Sequence, residues 1–184
     1  MPRVPDLDLD ALDAEQRRVH DAIVAGPRGG VHGPLRVWLH SPGLADRAQE
    51  LGAFCRFHTS LPPRLSELAI LVTAAAWRSG FEWQAHAPLA VEAGLDPQAV
   101  EAIRTGDTPD LAREDEAAVY AFARELIETR GVSDATYRRA AAVLDDRALV
   151  ELVGILGYYT LISMTINAFQ VPPPDGTPEP FPGP

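Results

Sequence analysis

The stretch RLSELAILVTAAAWRSG, residues 64–80, runs through leucine, isoleucine, valine and alanine with few polar interruptions, and Glu67 is one of its very few charges. Apolar side chains on nearly every face are the pattern of a helix buried on most sides, so a helical core is expected here, closed by Gly80. A second helix restarts at once, over residues 82–92, and Gly94 stops it. Glu82 and His86 stand at i and i+4 on that helix, which puts their β-carbons on one face about 5–6 Å apart.

The same signals extend outward in both directions. Asp13 caps a first helix that carries Val19 and Ile23 inward and ends at Gly26-Pro27. A short apolar turn over residues 34–39 follows, and Ser41-Pro42 opens a helix expected to bury Leu44, Ala48, Leu51 and Cys55. Thr59-Ser60-Leu61-Pro62-Pro63 breaks it. Downstream, Asp96-Pro97 starts a short helix ending at Gly106, residues 114–129 are amphipathic through Val119, Phe122, Ala123 and Leu126 and stop at Gly131, and Ser133 caps the next helix. Asp145 or Asp146 then opens RALVELVGILGYYTLISMTINAF, residues 147–169. No stretch sustains the alternation of a half-buried strand. The expected fold class is all-α, a single compact domain over residues 1–170. Residues 171–184, with seven prolines in fourteen positions, form an extended tail that is either loose or laid on a neighbour.

Composition narrows the function. The chain has 184 residues, 46% hydrophobic and 23% charged, enough for one globular core. Twenty-six acids against sixteen bases give a net charge of −10, which repels phosphate backbones and anionic membrane surfaces, so no nucleic-acid partner is expected. All sixteen bases are arginine. Without a lysine there is no Schiff base, no pyridoxal phosphate aldimine and no Gly-Lys-Ser/Thr phosphate loop. Cys55 alone cannot form an internal disulfide or a Cys-x-x-Cys pair, and MPRVPDLDLD has no apolar leader, so a cytoplasmic setting is expected. Residues 147–169 approach the roughly twenty apolar residues of a membrane span. Glu151 and the polar Thr160, Ser163, Thr165 and Asn167 argue instead for a helix buried in the core or against another subunit.

The chemistry gathers around His86. An imidazole with a carboxylate beside it is ordinary equipment for moving protons. Trp77, Phe81 and Trp83 surround the Glu82–His86 pair with apolar surface, and Glu67 on the preceding helix is a charge that has to be used or paired. Arg64 is a candidate for holding a substrate carboxylate, with a helix-start cap or a pair with Glu67 as its alternative roles. Cys55-x-x-His58, even with His40 or His86, reads as packing, and no metal is expected. Gly26, Gly29, Gly30 and Gly33 lack the preceding strand of a nucleotide loop. Tyr158, Tyr159 and Met164 could line a pocket, with interface packing as the favoured reading.

Two segments, LPPRLSELAILVTAAAWRSGFEWQAH and GYYTLISMTINAFQVPPP, resemble the carboxymuconolactone decarboxylase and alkylhydroperoxidase D-like superfamily, over about residues 33–174. In the peroxidase branch a glutamate, a Cys-x-x-Cys pair and a histidine fall at positions held here by Glu67, Ser79, Glu82 and His86. Both cysteine positions are replaced, which removes the thiolate and the resolving thiol. The decarboxylase branch has a glutamate four residues before the histidine, and Glu82-Trp83-Gln84-Ala85-His86 is similar to that. The resemblance implies a compact multi-helix alkylhydroperoxidase D-like domain, a homo-oligomer (trimer or hexamer), and a cofactor-free lyase acting on a small carboxylated lactone or related organic acid. His86, Glu82 and Glu67 would be its catalytic residues, with Arg64, Ser79 and Trp83 binding substrate. The alternatives are a non-catalytic ligand-binding member, or hydroperoxide reductase or isomerase activity in the same pocket. One proton held between the two carboxyl groups would leave both an acid and a base near neutral pH.

Overall fold

The structure, a computed structural model, describes residues 3–174 and 177–181. Among these residues every regular element is helical. After a short 3-10 turn, Leu9–Ala11, come α1 (Ala14–Ala25), α2 (Pro34–Trp38), α3 (Pro42–Phe57), α4 (Pro63–Ala76), α5 (Gly80–Glu92), α6 (Pro97–Thr105), α7 (Glu114–Thr129), α8 (Asp134–Ala141) and α9 (Asp146–Phe169). The boundaries lie where the chain supplies caps. Asp13 forms a capping box with Gln16, and Asp96, Ser133 and Asp145 each accept a hydrogen bond from the first turn they precede. Gly94 and Gly106 take positive φ, as helix-stopping residues do. Gly80 departs from its expected role. It begins α5, and Arg78, at φ 49°, makes the corner between α4 and α5.

α4 is the centre. Its residues from Leu65 to Ala74 are all buried, Glu67 included, and it packs against α5, α6, α7 and α9. α9 is the second pillar, lying against α2, α3, α4 and α8. By length and mean hydropathy (1.7) it is apolar enough to cross a bilayer, yet 56% of its most apolar window is buried inside this fold, as in a core helix. Loop 58–62 is tied to it by Glu151, whose Oε2 accepts from the Ser60 amide and hydroxyl at 2.5 and 2.7 Å, while Arg147 holds Oε1 at 2.8 Å.

α3 turns a different face inward from the one expected. Ala45, Ala48, Gly52 and Cys55 are buried, while Leu44 and Leu51 are 45% and 47% exposed. Closeness is the reason. A β-carbon on Gly52 would stand 2.0 Å from the Tyr158 hydroxyl oxygen, so α3 meets α9 through its smallest side chains and the leucines point out.

The described part of the tail lies back on its own domain. Phe181 is buried with its ring edge-on to Trp83, centroids 5.4 Å apart, Gln84 donates to the Pro178 carbonyl at 2.6 Å, and Arg104 donates to that of Pro180 at 2.7 Å. The rest of the expected extended tail, residues 175–176 and 182–184, lies outside the described residues, as do residues 1–2. Phe181→Ala is expected to lower the unfolding free energy by about 3 kcal/mol, the lower end for a buried phenylalanine, because the ring sits at the margin of the core. Urea unfolding would measure it, and an unchanged midpoint would mean the tail is not anchored.

Candidate functional site

The α4–α5 corner is short, so the two helices run back along one another and bring Glu67 opposite His86. The His86 ring then stands between two carboxylates. Nδ1 is 2.7 Å from Glu67 Oε2, and Nε2 is 3.5 Å from Glu82 Oε2. The first is a full hydrogen bond; the second is an ion-pair contact longer than one. Exposures of 2% for His86, 4% for Glu82 and 8% for Glu67 put all three inside the protein. The Tyr159 ring from α9 meets the imidazole edge to face, centroids 5.1 Å apart, and Tyr158 meets Tyr159 in the same way at 5.3 Å.

Burial by itself pulls the His86 pKa down, but the hydrogen bonds and charges of Glu67 and Glu82 outweigh it, and the imidazole is held above its usual value of 6.5. The direction of this shift favours a proton on the ring between the carboxylates. Burial, reinforced by the charges of Glu82 and Glu67, pushes the Tyr159 phenol up, so it stays a neutral hydroxyl.

Three other expected residues are placed differently. Ser79 precedes α5, fully buried, and its hydroxyl has no partner. Trp83 is buried beneath Phe181 of the tail. Arg64 is committed elsewhere, with its terminal nitrogens on Glu116 and Asp115 of α7 at 2.5 and 2.7 Å. Its guanidinium fastens α4 to α7, a role that the short-range alternatives, a cap or a pair with Glu67, did not include. Among the described residues no three His, Cys, Asp or Glu side chains are disposed to hold a metal ion, so Cys55, His58, His40 and His86 do not converge.

Tyr159, which the sequence left between pocket lining and interface packing, meets the cluster, and Ser163, one turn further along α9, is a residue the sequence reading did not single out for its buried hydroxyl without a partner. The i, i+4 spacing of two polar groups in an otherwise apolar helix was the available signal. A cavity of about 500 Å³ lies between the α4–α5 corner, the end of α9 and the tail, and another of about 620 Å³ between α2, the N-terminal segment and residues 171–174. Phe81, next to Glu82, lines both.

Solved structures share this arrangement of helices. The fold is that of alkylhydroperoxidase AhpD-like proteins. It matches an alkylhydroperoxidase AhpD core, peroxidase-related protein from Ralstonia eutropha JMP134 with TM-score 0.77 and 16% identity, covering 95% of this chain and 93% of that one. It also matches a peroxidase-related protein from Silicibacter sp. TM1040 (0.73, 16%, 95% and 94%) and the debrominase Bmp8 (0.68, 16%, 90% and 86%). None of the curated proteins compared with the chain matches it. Residues 42–125 match the carboxymuconolactone decarboxylase family.

Because His86 is held above 6.5 when folded, its contribution to stability is complete below about pH 6.5 and is lost as pH rises through the folded value. The stability advantage of wild type over His86→Gln is therefore expected to shrink from pH 6 upward in urea titrations. An advantage that grows with pH would contradict the imidazolium. The only cysteine, Cys55, is buried, and burial pushes its thiol up to about 11, so it is a poor nucleophile at neutral pH. Dithiol-driven turnover of alkyl hydroperoxides is expected to be absent; turnover that vanished in Cys55→Ser would overturn that.

Proposed function

We propose that the protein is a cofactor-free carboxy-lyase that decarboxylates, or otherwise moves a proton on, a small carboxylated lactone or related organic acid in the cytoplasm. The observation that carries the reading is the placement of His86 between Glu67 and Glu82. Glu67 fixes the ring at 2.7 Å and sets its orientation, while the looser 3.5 Å arm toward Glu82 is the side on which a substrate can insert. Loss of CO2 from an anion leaves a carbanion, and an imidazolium is the acid that protonates it; with the proton gone, the ring and Glu82 together form the base for an isomerisation. The aromatic surround of Trp83, Tyr159 and Phe81 keeps water from competing, and burial favours discharge of the substrate anion as neutral CO2.

The solved relatives include peroxidase-related proteins and a debrominase, so the fold supports more than one reaction. A thiol route has Ser79 and Glu82 where it needs its two cysteines. A purely ligand-binding role is favoured by one observation, the near-complete burial of the cluster. Turnover separates the two. His86→Gln is expected to lower kcat on a panel of carboxylated lactones by about 10²–10⁴, worth about 3–5 kcal/mol of transition-state stabilisation, with folding retained. Unchanged turnover of the true substrate would refute the mechanism.

Assembly belongs to the same proposal. Val150, Val153, Leu161 and Met164 are 73%, 46%, 36% and 46% exposed along one stripe of α9, with open space at Gly154 and Gly157. Read about Gly157, Val150 mirrors Met164 and Val153 mirrors Leu161, so two copies of the stripe fit antiparallel across a two-fold axis. Light scattering at micromolar concentration is expected to show a homo-oligomer; of the trimer and hexamer that the family resemblance implies, the hexamer is the one with two-fold axes, and Val153→Glu is expected to weaken it. A monomer mass for wild type would end this part of the proposal.

A further inference from the structure

The charged ends of many arginines in this fold reach carboxylates: Arg18 pairs with Asp46, Arg36 with Asp6, Arg139 with Glu114 and Arg147 with Glu151. Arg28 does not follow them. Its Nη2 donates to the Tyr158 hydroxyl at 3.1 Å, and its Nε is buried with no hydrogen-bond partner. Among the described residues it forms no ion pair. A guanidinium led into the interior onto a neutral phenol, with one donor left over, is costly unless an anion completes it.

The surroundings make room for that arrangement. Beyond its clash with Tyr158, a β-carbon on Gly52 would lie 2.4 Å from Arg28 Nη2, so α3 is cut back to a glycine where the Arg28–Tyr158 pair lies. Arg28 itself sits in the α1–α2 loop between Gly26 and the pair Gly29-Gly30, with Gly29 at φ +68°. From Tyr158 the rings continue through Tyr159 to His86. The Tyr158 phenol is pushed up by burial, eased by the charge of Arg28 and raised further by that of Glu82, so both charges reach the same ring.

We propose that Arg28 is the substrate's anion anchor, its Nε–Nη2 edge binding a non-reacting carboxylate while the reacting carbon faces Glu82 and His86. The assignment rests on reading the Glu–His–Glu cluster as a proton-transfer site. An arginine on the departing carboxylate would stabilise the charged ground state and oppose loss of CO2; on a second carboxylate it holds the substrate without that cost. The side edge of a guanidinium offers two parallel donors to a carboxylate, a fit that a lysine or a neutral donor does not reproduce. Arg28 thus takes the role that the sequence assigned to Arg64.

Binding and turnover are tested separately. The probes are 5-oxotetrahydrofuran-2-carboxylate and its uncharged methyl ester, titrated calorimetrically into the full chain. Arg28→Met is expected to weaken the acid by about tenfold or more and leave the ester unchanged, with Arg28→Lys in between because it keeps the charge and loses the edge. His86→Gln is expected to bind the acid like wild type while losing turnover of the lactone panel. Equal affinity of wild type and Arg28→Met for the acid, or no binding of the acid to wild type, overturns the anchor. Full turnover in His86→Gln would sink the proton-transfer reading, while an acid-specific loss in Arg28→Met would still assign the anion to Arg28.

Discussion

The interior of this protein is organised around one imidazole ring held between two carboxylates. A buried carboxylate without a partner costs several kcal/mol, and Glu67 lies within ten consecutive buried residues of α4. The imidazole of His86 makes that burial tolerable, and Glu82, one helical turn back, completes the cluster. Its geometry needs α4 and α5 pressed together, which the short corner at residues 77–79 enforces, with Arg78 at positive φ. It also needs α9 alongside, because Tyr159 closes the remaining face of the ring. Core packing and site geometry are here the same constraint.

The cluster is asymmetric, and the asymmetry gives it a direction. The tight contact to Glu67 works as a support that fixes the ring, and the longer contact to Glu82 is the arm that, under the proposed function, exchanges its partner for a substrate. Among the described residues three buried side-chain atoms have unused hydrogen-bonding capacity, the hydroxyls of Ser79 and Ser163 and the Nε of Arg28. Buried polar atoms are nearly always paired in folded proteins, so each of these three marks a place where the core departs from ordinary packing.

Most of the fold was legible because its signals are local. Aspartate and serine caps at 13, 96, 133 and 145 and glycines at 94 and 106 act within one turn of themselves, and the helices begin and end beside them. The Glu82–His86 pair was legible for the same reason, and Glu67 through its cost in an apolar run. What stayed hidden depends on distant partners. The inward face of α3 is chosen by Tyr158, more than a hundred residues away, against the larger apolar residues Leu44 and Leu51. Arg64 looked available until Asp115 and Glu116 of α7 reached it, and nothing near Arg28 in sequence announces that its head group meets α9.

The central claim is that His86 is a cation held between Glu67 and Glu82 in the resting protein. It is tested most directly by nitrogen NMR of the ring in ¹⁵N-histidine-labelled full-length protein, assigned with His86→Gln. The account predicts both ring nitrogens protonated at neutral pH, with deprotonation only above the ordinary histidine value of 6.5. A neutral ring at pH 7, with one bare nitrogen, would contradict it.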